Sequence, residues 1–169
     1  IHTADNWQIN FYRSLAFGSA IFVVLVFRYG NKVPLKLRDI GMHGVIAAAL
    51  LAFAGIAFLQ AITNTSVAAT TFTLSSLPFI TAAMAWLFLG ERIGKSTIFT
   101  MLAAASGISL MFIQGLGSGS SYGNLMAFLC AIGFSGYTIV LRRNRSTEML
   151  PALILSNLII MGIVLMLRW

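Results

Sequence analysis

A chain of 169 residues that is 59% hydrophobic and only 9% charged has too little polar surface to coat a water-facing domain. Soluble domains carry roughly a quarter charged residues, so lipid is the solvent implied for most of this surface, and an ordinary soluble fold is excluded. The net charge of +7 would suit a nucleic-acid partner, but the placement of the basic residues, set out below, argues against one.

Six apolar segments follow in chain order, at 9–27, 44–62, 66–89, 97–114, 125–141 and 151–167. Each is long enough to cross a hydrocarbon core of about 30 Å at about 1.5 Å per residue. They are apolar on all sides and show no two-residue alternation. The predicted fold is therefore all-α, a polytopic transmembrane bundle of about six spanning helices.

The first segment carries Arg13 about one turn inside its start. A charge at the bilayer centre is penalised by about 2.5–3.5 kcal/mol; this close to a helix end, Arg13 can snorkel to the interface. The alternative reading makes it a cationic group at the outer mouth of a cavity, where it attracts an anionic substrate. In the second segment Gly44, Ala48 and Ala52 recur every four residues, as do Ala103 with Gly107 and Ala127 with Ala131 further on. Such small-residue faces let helices approach closely in lipid.

The third segment is the most informative. Thr70, Thr71, Thr73, Ser75 and Ser76 crowd its first half, and Pro78 follows. Proline has no N–H, and its ring crowds the carbonyl of Leu74, so an interruption of the helix is predicted. The freed carbonyl needs a partner that lipid cannot give; Ser75, Ser76, Thr81 or water in a cavity could supply one. Thr71, Ser75 and Pro78 recur at i, i+4, i+7 and share one face of a continuous helix. One reading is a hydroxyl-lined substrate cavity at a broken helix, as at transporter binding sites. The other is a packing kink with hydroxyls acting as interhelical glue, about 0.6 kcal/mol each. Glu91 and Arg92 lie in the turn that follows, as a helix cap or a gate ion pair. Tyr137 and Asn157 lie deep in the fifth and sixth segments, and each needs a polar partner, either in a central cavity or on another helix. Cys130 has no CxxC partner and reads as a small hydrophobe.

Nine of the eleven basic residues fall in alternate connections: Arg28, Lys32, Lys36 and Arg38, then Arg92 and Lys95, then Arg142, Arg143 and Arg145. That alternation is the positive-inside pattern. It places 28–43, 90–96 and 142–150 in the cytoplasm and residue 1 outside. The basic residues are thus divided among the loops of one membrane face, and no nucleic-acid partner is expected. No carboxylate lies at mid-membrane, and no phosphate loop, HExxH, GxSxG or Cys/His cluster occurs, so neither an enzyme nor a cofactor or metal site is expected.

The stretch from Phe58 to Gly115 resembles the EamA-type domain of the drug/metabolite transporter superfamily. The resemblance rests on the mid-helix Pro78, the aromatic exit Ala85-Trp86-Leu87-Phe88-Leu89, the Gly90-Glu91-Arg92 turn, and the small-residue helix Ala103-Ala104-Ala105-Ser106-Gly107. Phe11-Tyr12-Arg13-Ser14-Leu15-Ala16 is similar to the family's Arg-x-x-Ala helix start, and Gly123-Asn124-Leu125 through Tyr137 to Arg142-Arg143 to the opening of its second repeat. Asn64 and Thr100 depart from the residues common at their positions. The resemblance implies two inverted five-helix repeats, of which 1–115 would be most of the first without its first helix, and 116–169 the first two helices of the second. Helices two to seven of ten would then be present, a fragment.

It also implies a function: a secondary transporter, or permease, moving a small polar metabolite such as an amino acid or related solute across a bacterial cytoplasmic (inner) membrane. On that reading Thr71, Ser75, Pro78, Tyr137 and Asn157 line the substrate cavity. Membrane lipid and a small-molecule substrate are the expected partners, and self-association into a homo-oligomer is left open. The alternative is a membrane-assembly or accessory protein with no transport activity of its own.

Overall fold

The computed structural model describes residues 6–30, 33, 39–92, 94–115, 121–144 and 150–168, without the side chains of 6, 7, 108, 111, 112, 114, 115, 167 and 168. The described residues form helices and turns with no strand. We number the helices α1 (Asn6–Tyr29), α2 (Gly41–Asn64), α3 (Val67–Leu74), α4 (Leu77–Leu89), α5 (Lys95–Gly115), α6 (Ser121–Arg143) and α7 (Leu150–Arg168). Five of the six predicted segments fall within single helices, and the third, 66–89, is divided between α3 and α4. Among the described residues, Gln8–Tyr29, Gly41–Asn64, Val67–Leu89 and Ser121–Arg143 are long and apolar enough to cross a membrane, and Leu150–Met166 is a shorter apolar helix. Helix α5 has 21 residues, about 30 Å of length.

Large apolar side chains point outward, which is how a helix meets lipid. Phe27 and Met166 are each 88% exposed and Phe99 76%. The buried side is small and partly polar instead. Ala47, Ala48, Ala52, Ala54 and Ala61 of α2 and Ala127 and Ala131 of α6 have almost no accessible surface. Gly44 is buried with them. Close backbone approach and dispersion, rather than expulsion of water, stabilise such contacts in lipid. Ala103 departs from this pattern and is exposed.

The chain divides into two compact units, one made of Ile1–Phe53 and Val140–Trp169, the other of Ala54–Ile139. In the first, α1 packs along α7. Leu25, Val33 and Ile154 form a buried cluster covered by Ile21, Tyr29 and Leu150. A Cβ placed on Gly18 would lie 3.4 Å from that of Asn157. Residue numbers fall along α1 as they rise along α7, so the pair is antiparallel.

In the second unit Cys130 is buried, as its apolar context predicts, against Ala54, Ala57, Phe58, Leu74 and Leu129. Two polar bonds tie distant segments: Thr65 Oγ1 donates to Asn124 Oδ1 at 2.9 Å, and Thr81 Oγ1 to Ser135 Oγ at 3.0 Å. The first of these draws residues 121–124 into α6. Sequence composition alone places them in a Gly/Ser-rich loop, yet Gly123 and Asn124 are helical and buried.

The predicted interruption is present. Helix α3 begins at Ser66, whose side chain accepts from the Ala69 N–H at 3.0 Å, a standard N-cap. It stops after Leu74, and α4 starts with Pro78 in its first turn, where a missing N–H is tolerated. Across the break the backbone tightens to i→i−3 bonds, Ser76 N–H to Thr73 at 3.2 Å and Phe79 N–H to Ser76 at 2.9 Å. The hydroxyls of Ser75 and Ser76 donate to Phe72 and Thr73, each at 2.6 Å. They thus support the carbonyls just before Leu74, while Thr81 bonds Ser135 instead.

Candidate functional site

The break positions a cavity within the second unit. Beyond it, Ser76, Phe79, Ile80 and Ala83 line one wall of a space of about 640 Å3. Their spacing of three and four is that of a single helix face. Helix α5 adds Met101, Ala104 and Ser109, and the start of α6 adds Leu125 and Phe128. Small-molecule sites are roughly 300–1,000 Å3 and mostly apolar, with few polar groups.

The walls here fit that description on the apolar side. The hydroxyls in the lining, those of Ser76 and Ser109, donate to their own helices, to the Thr73 carbonyl at 2.6 Å and the Ala105 carbonyl at 2.8 Å. Only their acceptor lone pairs face a ligand. Among the described residues, no ionisable side chain lines the space. It can hold an apolar or aromatic body by shape and dispersion, and it presents no nucleophile or general acid.

A broken apolar span beside a ligand-sized space, in a chain that crosses a membrane several times, is the setting in which the family comparison falls. The sequence model of the EamA-like transporter family matches residues 1–113, well over half of the chain. The chain belongs to the EamA-like transporter family. It is a multi-pass membrane protein of the drug/metabolite transporter type. No curated protein and no solved structure matches it. The matched part of this EamA-like chain contains α1 to α4 and nearly all of α5, and so two of the three cavity walls.

Within this EamA-like chain the side chains singled out from sequence are not gathered at the cavity. Thr71 and Ser75 are exposed. Thr71 Oγ1 donates to Val67 and Ala68 at 2.8 and 3.0 Å, and Ser75 Oγ to Phe72. Pro78 is exposed as well. None of the three belongs to the cavity lining, which Ser76 and its helix mates supply. Tyr137 is half-buried in α6.

Asn157 and Arg13 belong to the α1–α7 unit. Asn157 Nδ2 donates to the Leu153 carbonyl at 2.8 Å. Arg13 is half-buried, and its Nη2 donates to Asn10 Oδ1 at 3.2 Å. Glu91 and Arg92 are exposed in the turn after α4. That turn is closed by backbone: Gly90 has φ 68°, and its N–H and that of Glu91 both reach the Ala85 carbonyl. The helix thus ends on a left-handed glycine, a conformation that few residues other than glycine adopt without strain.

Sequence reasoning named Ser76 among the crowded hydroxyls but not as part of this face, and passed over Phe79, Ile80, Ala83 and Ser109. A usable signal was present, since Ser76, Phe79, Ile80 and Ala83 form one face once the helix is restarted at Leu77.

Proposed function

We propose that this chain is the substrate-binding part of a secondary transporter that moves a small metabolite with a substantial apolar portion, such as an amino acid or a related solute, across the cytoplasmic membrane. The observation that supports it is the ligand-sized apolar cavity lying against the broken third span. Apolar walls hold the solute's body, and hinge motion at Ser75–Ser76 changes the cavity's exposure from one side to the other. Residues 1–115 are most of one repeat and 116–169 the opening of its inverted partner, so a complete carrier combines both.

The basic residues at helix ends orient it. Arg28 closes α1 and Arg142 and Arg143 close α6, while Arg92 and Lys95 flank the turn between α4 and α5. All five are exposed, and these ends lie in the cytoplasm. The test is solute counterflow in proteoliposomes carrying the full-length protein, with labelled amino acids graded by side-chain size. Saturable, protein-dependent counterflow that strengthens with the apolar side chain is expected. Flux no different from protein-free vesicles for every solute, including organic acids, would refute transport. A single cysteine at Arg92 in a Cys130→Ser background should react with an impermeant maleimide from the cytoplasmic side only.

A further inference from the structure

The strongest unassigned feature lies in the α1–α7 unit and shares no residue with the cavity. Asn10 is 1% exposed and Ser14 0%, and Asn10 Nδ2 and Ser14 Oγ have no hydrogen-bond partner. This sets them apart from their own kind in the chain. The amides of Asn64, Asn144 and Asn157 each donate to the carbonyl four residues earlier. The hydroxyls of Thr70, Thr73 and Thr138 do the same, and those of Ser19, Ser106 and Ser156 reach back three. That self-bonding is how helical polar groups are made tolerable in lipid. Asn10 and Ser14, one turn apart on a single face, forgo it.

The described residues of the facing helix at this level do not compensate. The antiparallel register that sets Gly18 beside Asn157 and Leu25 beside Ile154 brings residues 10–14 level with about 160–165 of α7. That stretch reads Ile-Met-Gly-Ile-Val-Leu and offers no side-chain oxygen. Between Asn10 and Ser14 lies Arg13, a fixed positive charge whose Nη2 occupies the amide oxygen of Asn10 and leaves the buried Asn10 N–H2 as its unsatisfied group. The arrangement therefore presents donors and a cation together. Its complement is an acceptor bearing negative charge, with which such hydrogen bonds are about twice as strong as between neutral groups.

The geometry points to an oxyanion-binding site at Asn10, Arg13 and Ser14 that takes the carboxylate of a small organic solute. The solute's being a transported one rests on the proposed function; the site itself does not. An anionic lipid headgroup offers similar chemistry, but the lipid-facing residues of this stretch are Tyr12, Leu15 and Phe17, which are 47–67% exposed, whereas Asn10 and Ser14 lie under protein. The donors are covered in this conformation, so displacement of α7 from residues 10–14 admits the anion.

Thermal unfolding of the full-length protein in detergent tests this without requiring transport. Sodium benzoate, against benzamide as its neutral counterpart and sodium chloride at equal ionic strength, is the probe. At about 10 mM benzoate the wild-type midpoint should rise by about 2–4 °C, with no rise for benzamide. Ser14→Ala should unfold no earlier than wild type without benzoate, because it removes an unsatisfied donor, whereas Asn10→Leu also removes the acceptor of Arg13 Nη2 and should unfold slightly earlier; both should lose the benzoate shift, as should Arg13→Gln. A purely structural polar cluster predicts the reverse, a lowered midpoint for Ser14→Ala and no benzoate shift in wild type. No shift in wild type, or a shift surviving Arg13→Gln, overturns the site. Stabilisation by phosphatidylglycerol but not by benzoate overturns the solute assignment in favour of a headgroup. A benzoate shift that depends on Arg13 in a protein without counterflow upholds the site while removing the transport reading.

Discussion

Gly123→Ala is expected to destabilise the protein by about 1–3 kcal/mol. A Cβ at this position would lie 2.6 Å from Thr65 Cβ, 2.7 Å from the Asn64 carbonyl carbon and 2.7 Å from the Thr65 nitrogen. Two of these three atoms are backbone, so no rotamer change relieves the overlap. The turn between α2 and α3 has to move off α6, and the bond from Thr65 to Asn124 stretches with it. Gly162 supplies the control, since a Cβ there meets nothing within 4 Å; its alanine variant should match wild type or gain up to about 1 kcal/mol from helix propensity. Unfolding of both variants by heat or SDS checks the pair. Equal midpoints for the two would mean that the 64–65 turn does not rest on Gly123.

Pro78→Ala should slow transport about tenfold or more without lowering stability. Alanine restores the N–H that can donate to Leu74 and removes the ring that keeps α3 and α4 apart. Proline in a first turn is tolerated, so the gain in helix stability is well under the about 3 kcal/mol of an interior proline. A carrier, however, must populate two conformations. A bias of about 1.4 kcal/mol toward the straightened form lowers the other's population about tenfold. The expected signature is a thermal midpoint equal to or above wild type, combined with a reduced maximal counterflow rate. Wild-type flux in this variant would show that the break is only a packing kink.

How much of this could be read from the residues follows from the range of each interaction. The spans were legible because hydropathy and length are local properties, and the break was legible because the chemistry of Pro78 acts on its own backbone. The burial of Cys130 and of the Gly44-Ala48-Ala52 and Ala127-Ala131 faces also followed from local pattern. The cavity face was not legible, for a specific reason. Grouping Thr71, Ser75 and Pro78 assumes a continuous 3.6-residue period, and the period is reset between Leu74 and Leu77. Residues on either side of a break do not share a face at i, i+4, i+7. Ser76 and Ser109, and the pairings of Thr65 with Asn124 and Thr81 with Ser135, depend on helices distant in sequence. The burial of the unpartnered Asn10 amide and Ser14 hydroxyl likewise depends on tertiary packing rather than on local pattern. Ala103 shows the opposite error: its small-residue spacing with Gly107 is real, yet Ala103 is exposed.

The cavity assignment is tested most directly by counterflow through an Ala83→Trp variant of the full-length protein, measured beside wild type and Ser75→Ala. Ala83 lies on the wall that α4 presents to the cavity, and an indole there occupies the space a solute would take. The prediction is a fall in counterflow of about tenfold or more for Ala83→Trp, with the purified protein eluting and melting as wild type. Ser75→Ala, exposed and outside the lining, should stay within about twofold of wild type. Undiminished flux through Ala83→Trp, or loss of flux confined to Ser75→Ala, would contradict the account and place the substrate on the Thr71–Ser75 face instead.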